Sequence, residues 1–145
     1  MAAEGKAPVG VVLDASVWVS SELLTDSNHF VASAWINRHL EAHGYFVEPV
    51  WLLAEVAAAI SRQAGPQHAN NTIALLARLY RQQTMRFLPM SPALMNDTVA
   101  IARDYGIRAG DAVYVALARQ LAIPLVSFDR DHLTRVNSII TVIKP

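Results

Sequence analysis

The feature that most constrains the fold is a short apolar run that stops at an acid. Residues 9–16 read VGVVLDAS and follow an Ala-Pro pair. An apolar run of this length is typical of a buried strand in a parallel sheet. Asp14 would then stand at the carboxyl end of the strand, where open α/β sheets bind their ligands. A simpler role is equally open here, because Asp14 or Ser16 would also cap a following helix.

Strand-like and helix-like segments alternate along the whole chain. The predicted strands are residues 9–13, 45–48, 86–90, 125–128 and 138–143. The predicted helices are residues 16–24, 30–42, 50–64, 67–84, 91–105 and 112–121. Such alternation favours a mostly parallel sheet with helices on both faces, joined by right-handed crossovers. We therefore expect one three-layer α/β/α domain over residues 1–145.

The amino-acid composition limits the cellular compartment and the classes of ligand that we expect for this chain. The chain has no cysteine, which excludes disulfides and Cys-based zinc sites and favours the cytoplasm. Twelve basic side chains balance twelve acidic ones, so any polyanion must be held by local patches. No apolar run approaches the roughly 18 residues of a membrane span, and no glycine-rich phosphate loop is present.

One acid lies on the apolar stripe of a predicted helix. In the helix over residues 50–64, Leu52, Val56 and Ile60 recur at helical spacing, and Glu55 falls on the same stripe. An ionised carboxylate is costly there unless it is paired or binds a metal. The alternative is an ion pair with an arginine such as Arg86 or Arg108.

Two more acids follow apolar elements in the second half of the chain. Asp111 opens a predicted apolar helix, and Asp129 follows the predicted strand over residues 125–128. Each has an ordinary structural explanation, as a first-turn or capping acid and as a turn residue. If they converge with Asp14 and Glu55, their mutual repulsion would raise their pKa values unless a cation lies among them, and carboxylates suit Mg²⁺ or Mn²⁺. Such ions activate water for phosphodiester cleavage, which describes a metal-dependent nuclease.

Four motifs in the same order resemble the PIN domain family over nearly the whole chain. VVLDAS at residues 11–16 resembles the family's opening strand with Asp-x-Ser, and WLLAEV at residues 51–56 resembles its helical Glu. AGDAVYVALA at residues 109–118 and LVSFDRD at residues 125–131 resemble its Asp-Ala-x-x-x-Ala-Leu-Ala helix start and its Thr-x-Asp segment. The absence of further domains is similar to VapC-type toxins, which are Mg²⁺-dependent endoribonucleases neutralised by an antitoxin.

The resemblance implies a role for each acid. Asp14 and Asp111 would be the central metal ligands, and Glu55 and Asp129 would complete the acidic cluster. Ser16 and Ser127 would support the ligands from just outside, with Ser127 in a position where the family usually has Thr. Asp131 is a competitor of Asp129 for the fourth place, although its position beyond the strand favours an exposed turn.

The same resemblance implies an RNA substrate, an antitoxin partner and a homodimer. Apolar side chains concentrated near the first two helices would provide a groove for an antitoxin segment or a dimer contact; they are Trp18, Leu23, Leu24, Phe30 and Trp35. Two other functions remain open. One is a PIN-like module that binds RNA or protein without cutting it. The other is a phosphohydrolase with Asp14 as nucleophile, although Ala15-Ser16 replaces the D-x-D start.

Overall fold

A computed structural model describes residues 7–129 and 134–145 of the chain. In this part of the chain, five strands form a sheet in which every pairing is parallel. The strands are β1 (Gly10–Leu13), β2 (Tyr45–Pro49), β3 (Met85–Leu88), β4 (Leu125–Val126) and β5 (Val142–Ile143). The helices are α1 (Ala15–Glu22), α2 (His29–Glu41), α3 (Trp51–Ala64), α4 (Pro66–Arg81), α5 (Pro92–Tyr105) and α6 (Ala109–Leu121). The predicted three-layer α/β/α fold is confirmed.

The sheet order is β3-β2-β1-β4-β5, with β1 at the centre. The chain adds β2 and β3 on one side of β1 and then crosses over to place β4 and β5 on the other. The order therefore reverses between β1 and β4, and open α/β sheets bind ligands outside the carboxyl ends of strands at such a switch point. Asp14 follows β1 and Asp129 follows β4, so both acids lie at this position.

Local sequence explains how α5 begins and ends. The Ser91 hydroxyl accepts a hydrogen bond from the Leu94 amide at 3.1 Å, and Pro92 occupies the first helical position. Both residues are favoured at helix starts. Gly106 follows the helix with a φ of 63°, a left-handed conformation that glycine adopts without strain. The predicted boundaries of this helix are confirmed.

The core lies on both faces of β1 and around α6, whose residues from Ala112 to Ala118 are all buried. The predicted stripe of α4 is partly wrong. Leu76 is buried as expected, but Tyr80 is 55% exposed and Leu79 is buried in its place. The helix presents a face rotated by one residue from the prediction, because apolar residues occupy both neighbouring positions and periodicity alone does not separate them.

Several boundaries also differ from the sequence prediction. The last two strands are shorter than expected, and α6 begins at Ala109 rather than at residue 112. Asp111 consequently lies inside the first turn of α6, while Arg108 occupies the cap position. Among the described residues, no helix is long and apolar enough to span a bilayer.

Candidate active site

An open cleft of about 750 Å³ lies at the switch point of the sheet. All four acids singled out by the sequence line it: Asp14, Glu55, Asp111 and Asp129. The other lining residues come from α1, α3 and the segments before α6 and after β4; they are Ala15, Ser16, Val19, Trp51, Ala54, Ala58, Ala59, Arg62, Arg108 and Phe128. The fold thus brings together acids that are widely separated in the sequence.

Asp14 is held by hydroxyl groups rather than acting as a helix cap. It occupies the cap position of α1, but its side chain makes no capping hydrogen bond. Its Oδ2 accepts hydrogen bonds from the Ser127 hydroxyl at 2.8 Å and from the Ser16 hydroxyl at 3.2 Å. The Ser127 Oγ in turn accepts the Asp129 amide N–H at 2.9 Å. This network joins the ends of β1 and β4 and fixes the orientation of a carboxylate that is only 4% exposed.

Glu55 meets the start of α6 across the cleft. Its Oε2 accepts a short hydrogen bond from the Tyr114 hydroxyl. Its Oε1 lies so near Gly110 that a Cβ there would come within 2.9 Å of it. A side chain at position 110 would therefore push the Glu55 carboxylate away from this end of α6. Tyr114 was missed by the sequence reasoning, although its spacing of three from Asp111 places it on the same side of α6.

The electrostatics of Glu55 show that it shares its surroundings with two other acids. Burial raises the pKa of the Glu55 carboxyl, and the negative charges of Asp14 and Asp111 raise it further. Hydrogen bonding from Tyr114 and Trp51 opposes these effects and lowers the pKa. No arginine or lysine is paired with Glu55 in the parts of the chain that the structure covers. The ion pair considered as its structural explanation is therefore not found there, and Arg86 instead lies over the Tyr45 ring.

Asp111 and Asp129 form the more open side of the cleft. The Arg108 Nε lies 3.1 Å from an oxygen of Asp111, and a terminal nitrogen of Arg108 lies 3.9 Å from an oxygen of Asp129. Both carboxylates are partly exposed, and the guanidinium is mostly in solvent. Such exposed pairs contribute little to stability because water and salt screen them. Arg108 is therefore a solvent-exposed counter-charge at the mouth of the site.

The chemistry of the donor set suits a hard divalent cation. Four carboxylates line one cleft with no cysteine or histidine among the lining residues that the structure describes, and such oxygen donors are those that Mg²⁺ and Mn²⁺ prefer. Within residues 7–129 and 134–145, no three of these groups are yet close enough to form a ready-made metal site. Binding would therefore require side-chain rotation, which is least restricted for the partly exposed Asp111 and Asp129. Asp131 lies outside the described residues.

The apolar residues near the first helices divide into two sets. Trp18 and Leu23 are buried in the core, and Trp35 packs against it. Leu24 and Phe30 are each 78% exposed. Part of the expected apolar surface is therefore present at the turn between α1 and α2, and the rest forms the interior.

The sequence model of the PIN domain family matches residues 11–138. The chain belongs to the PIN domain family. The match covers all four acids and the strands and helices that carry them. No curated protein matches the chain in sequence.

Solved structures with a similar fold include bacterial toxins and toxin-antitoxin complexes. VapC20 from Mycobacterium tuberculosis, a Sarcin-Ricin loop cleaving toxin, has a TM-score of 0.73 and 17% identity, covering 93% of this chain and 99% of that one. VapBC2 from Rickettsia felis, bound to a DNA fragment from its promoter, has a TM-score of 0.68 and 10% identity, with coverage of 94% and 99%. FitAcB from Neisseria gonorrhoeae has a TM-score of 0.65 and 19% identity, with coverage of 92% and 96%. At these identities the likeness concerns the fold.

Proposed function

We propose that this protein is a metal-dependent endoribonuclease and the toxin of a type II toxin-antitoxin pair. The observation that carries the proposal is the convergence of four carboxylates in one open cleft at the switch point of the sheet. Membership of the PIN domain family and the VapC-like fold support it. RNA is then the substrate and the cytoplasm the site of action.

In this proposal Asp14 and Asp111 hold Mg²⁺ or Mn²⁺, and Glu55 and Asp129 complete the set. The bound ion supplies an activated water and neutralises charge on the phosphodiester. Ser127 and Ser16 keep the Asp14 carboxylate in one orientation through their hydrogen bonds to Oδ2. Arg108 stands beside Asp111 and Asp129, where its guanidinium would hold a phosphate of the substrate.

The test is RNA cleavage in the presence of Mg²⁺ or Mn²⁺. Asp14→Asn and Asp111→Asn should each remove activity while the protein remains folded, since both changes preserve side-chain volume. Asp104→Asn is the matched control, because Asp104 is an exposed acid on α5 that pairs with Arg103 and does not line the cleft. Unchanged metal-dependent cleavage by both cleft variants would refute the assignment.

A PIN-like module that binds without cutting is the second candidate. The pairing of Arg108 with Asp111, and the lack of a ready-made group of three ligands in the described residues, favour this alternative. Titration with Mn²⁺ separates the two functions. Binding by the wild type that is lost in Asp14→Asn supports the nuclease, and absence of Mn²⁺ binding supports the inactive module.

We also propose an antitoxin partner and a homodimer. The similar structures include a toxin-antitoxin complex from Klebsiella pneumoniae, and the exposed Leu24 and Phe30 provide an apolar contact surface of the kind that amphipathic segments cover. Co-expression with the product of a short neighbouring gene that encodes a DNA-binding protein should relieve toxicity. Light scattering of the purified toxin at several concentrations will give its oligomeric state.

A further inference from the structure

One wall of the cleft is a continuous face of α3. Its lining residues recur at helical spacing and end in an aromatic residue and a basic one; they are Trp51, Ala54, Glu55, Ala58, Ala59 and Arg62. Because a helix rises 1.5 Å per residue, Trp51 and Arg62 lie about 16 Å apart along the axis. Between them, the three alanines leave an apolar surface from which Glu55 is the long side chain that projects into the cleft.

Trp51 is unusual for a tryptophan because it is 43% exposed, whereas Trp18 is 1% exposed in the core. It lines the same cleft as Glu55, one helical turn away on α3, so the exposed indole lies beside the acidic cluster. An exposed, oriented aromatic face beside a phosphodiester-cleaving site is suited to stacking on an unpaired nucleobase. A base in a duplex is already stacked on both faces and would not reach it.

Arg62 lies at the other end of the same face. It is exposed, lines the cleft and forms no ion pair with any described residue. Arg108 differs, since it is engaged with Asp111 and Asp129. Arg62 therefore has the charge available to hold a phosphate oxygen through paired N–H donors.

We propose that α3 binds single-stranded RNA, with a nucleobase stacked on Trp51 and a phosphate of the same strand held by Arg62. This inference rests on the proposed function, because it assigns the strand that the acidic cluster would cut. Specificity for the unpaired strand then follows from stacking on the indole, and the separation of the two side chains places the strand along the acidic cluster.

The first experiment measures binding of a fluorescent oligouridylate and of an abasic analogue of equal length, in EDTA so that no cleavage occurs. Trp51→Ala should weaken oligouridylate binding about tenfold and leave binding of the abasic strand unchanged, because only the former has bases to stack. Trp51→Phe should restore most of the affinity. Tyr80→Ala is the matched control, since Tyr80 is an exposed aromatic residue that does not line the cleft.

The second experiment varies the salt concentration. Arg62→Ala should weaken binding of both strands and reduce the slope of log affinity against log salt by about 0.7, the value for one phosphate contact on a single strand. Trp51→Ala should leave that slope unchanged, and so should the control Arg81→Ala. Circular dichroism verifies that each variant is folded.

The outcomes separate this inference from the nuclease proposal. If wild-type protein binds neither strand, or if Trp51→Ala binds oligouridylate as the wild type does, the inference is wrong and the exposed indole serves a protein contact. If the predicted losses of binding occur but no metal supports cleavage, the RNA-binding face stands and the nuclease proposal fails. If the wild type cleaves RNA but the variants bind both strands as the wild type does, the nuclease proposal stands and the RNA-binding face is wrong.

Discussion

Glu48 on β2 and Glu55 on α3 are close in sequence, but one lies in the protein interior and the other lines an open cleft. Glu48 is fully buried, and its Oε1 accepts hydrogen bonds from the Leu13 amide at 3.0 Å and the Trp18 indole at 3.2 Å. Its Oε2 has no hydrogen-bond partner in the described structure. Glu55 faces an open cleft with three other acids. A buried acid is thus not by itself a sign of an active site; the opening to solvent distinguishes the two.

Burial dominates the pKa of both carboxyls, with different consequences. The pKa of Glu48 is raised well above its usual range by loss of hydration, which the hydrogen bonds from Leu13 and Trp18 only partly offset. Glu48 therefore favours the neutral acid inside the protein. The pKa of Glu55 is raised in part by other acids, an effect that a cation in the cleft would reverse. The difference can be tested by neutralising each residue in turn.

Glu55→Gln should have the largest effect. We expect RNA cleavage to fall by at least about 100-fold, because a proposed metal ligand is lost. This loss is larger than that caused by removing a residue that only hydrogen-bonds to a metal ligand. The amide oxygen can still accept the Tyr114 hydroxyl, so unfolding by urea should change little. Cleavage rates and urea unfolding measured on the same preparation check both expectations. Retained cleavage would place Glu55 with Glu48 as a structural acid.

Ser127→Ala and Ser16→Ala should separate the two supports of Asp14. Ser127 is fully buried and donates the shorter hydrogen bond, whereas Ser16 is exposed. We expect Ser127→Ala to increase the Mn²⁺ concentration needed for half-maximal cleavage by about tenfold. Ser16→Ala should increase it less than about threefold. Equal effects would show that the orientation of Asp14 does not depend on the buried bridge.

Glu48→Gln should leave cleavage intact and change the pH dependence of stability. An acid whose pKa is raised in the folded state stabilises that state below its unfolded pKa, near 4.5, and this contribution is lost as pH rises through the folded pKa. Glutamine cannot ionise, so the free energy of unfolding of the variant should increase relative to that of the wild type as pH rises. Urea unfolding between about pH 5 and about pH 8 measures the difference. A difference independent of pH would mean that Glu48 is not the titrating group.

Tyr114→Phe should have the smallest effect of the four. It removes the hydroxyl that donates to Glu55, and we expect a loss of about 1 kcal/mol in the free energy of unfolding. The pKa of Glu55 should rise, because this hydrogen bond lowers it. Tyr105→Phe is the control, since the Tyr105 hydroxyl makes no hydrogen bond within the described chain. Urea unfolding of the two variants side by side is the measurement, and equal losses would contradict the expectation.

The fold was predictable from sequence because its strands are apolar runs bounded by turn residues, as in β1. The position of Asp14 followed directly, since a parallel strand ends where its apolar run ends. The strand order was not predictable, because it depends on which edges pair across the whole chain. That order places β4 beside β1, and this is why Asp14 accepts a hydrogen bond from Ser127 and lies in the same cleft as Asp129.

Glu48 was missed for a different physical reason. The segment from Tyr45 to Glu48 was predicted as a strand, but only the pairing of β2 between β1 and β3 buries both of its faces. A glutamate in such a strand must lie in the interior. The burial of Glu48 could therefore be predicted only after β2 was known to be a central strand. Tyr80 was placed wrongly because adjacent apolar residues on α4 allow two rotations of the helix.

The pairing of β1 with β4 also determines when, during synthesis, the acidic cluster can form. Asp14 and Ser127 are separated by 113 positions, so a chain emerging from the ribosome displays its first acid long before the partner that orients it exists. Long-range pairings of this kind form late, after the intervening loop is closed. A fragment interrupted after α5 would carry Asp14 and Glu55 yet lack Asp111 and β4. The four acids can therefore come together only after synthesis has passed β4.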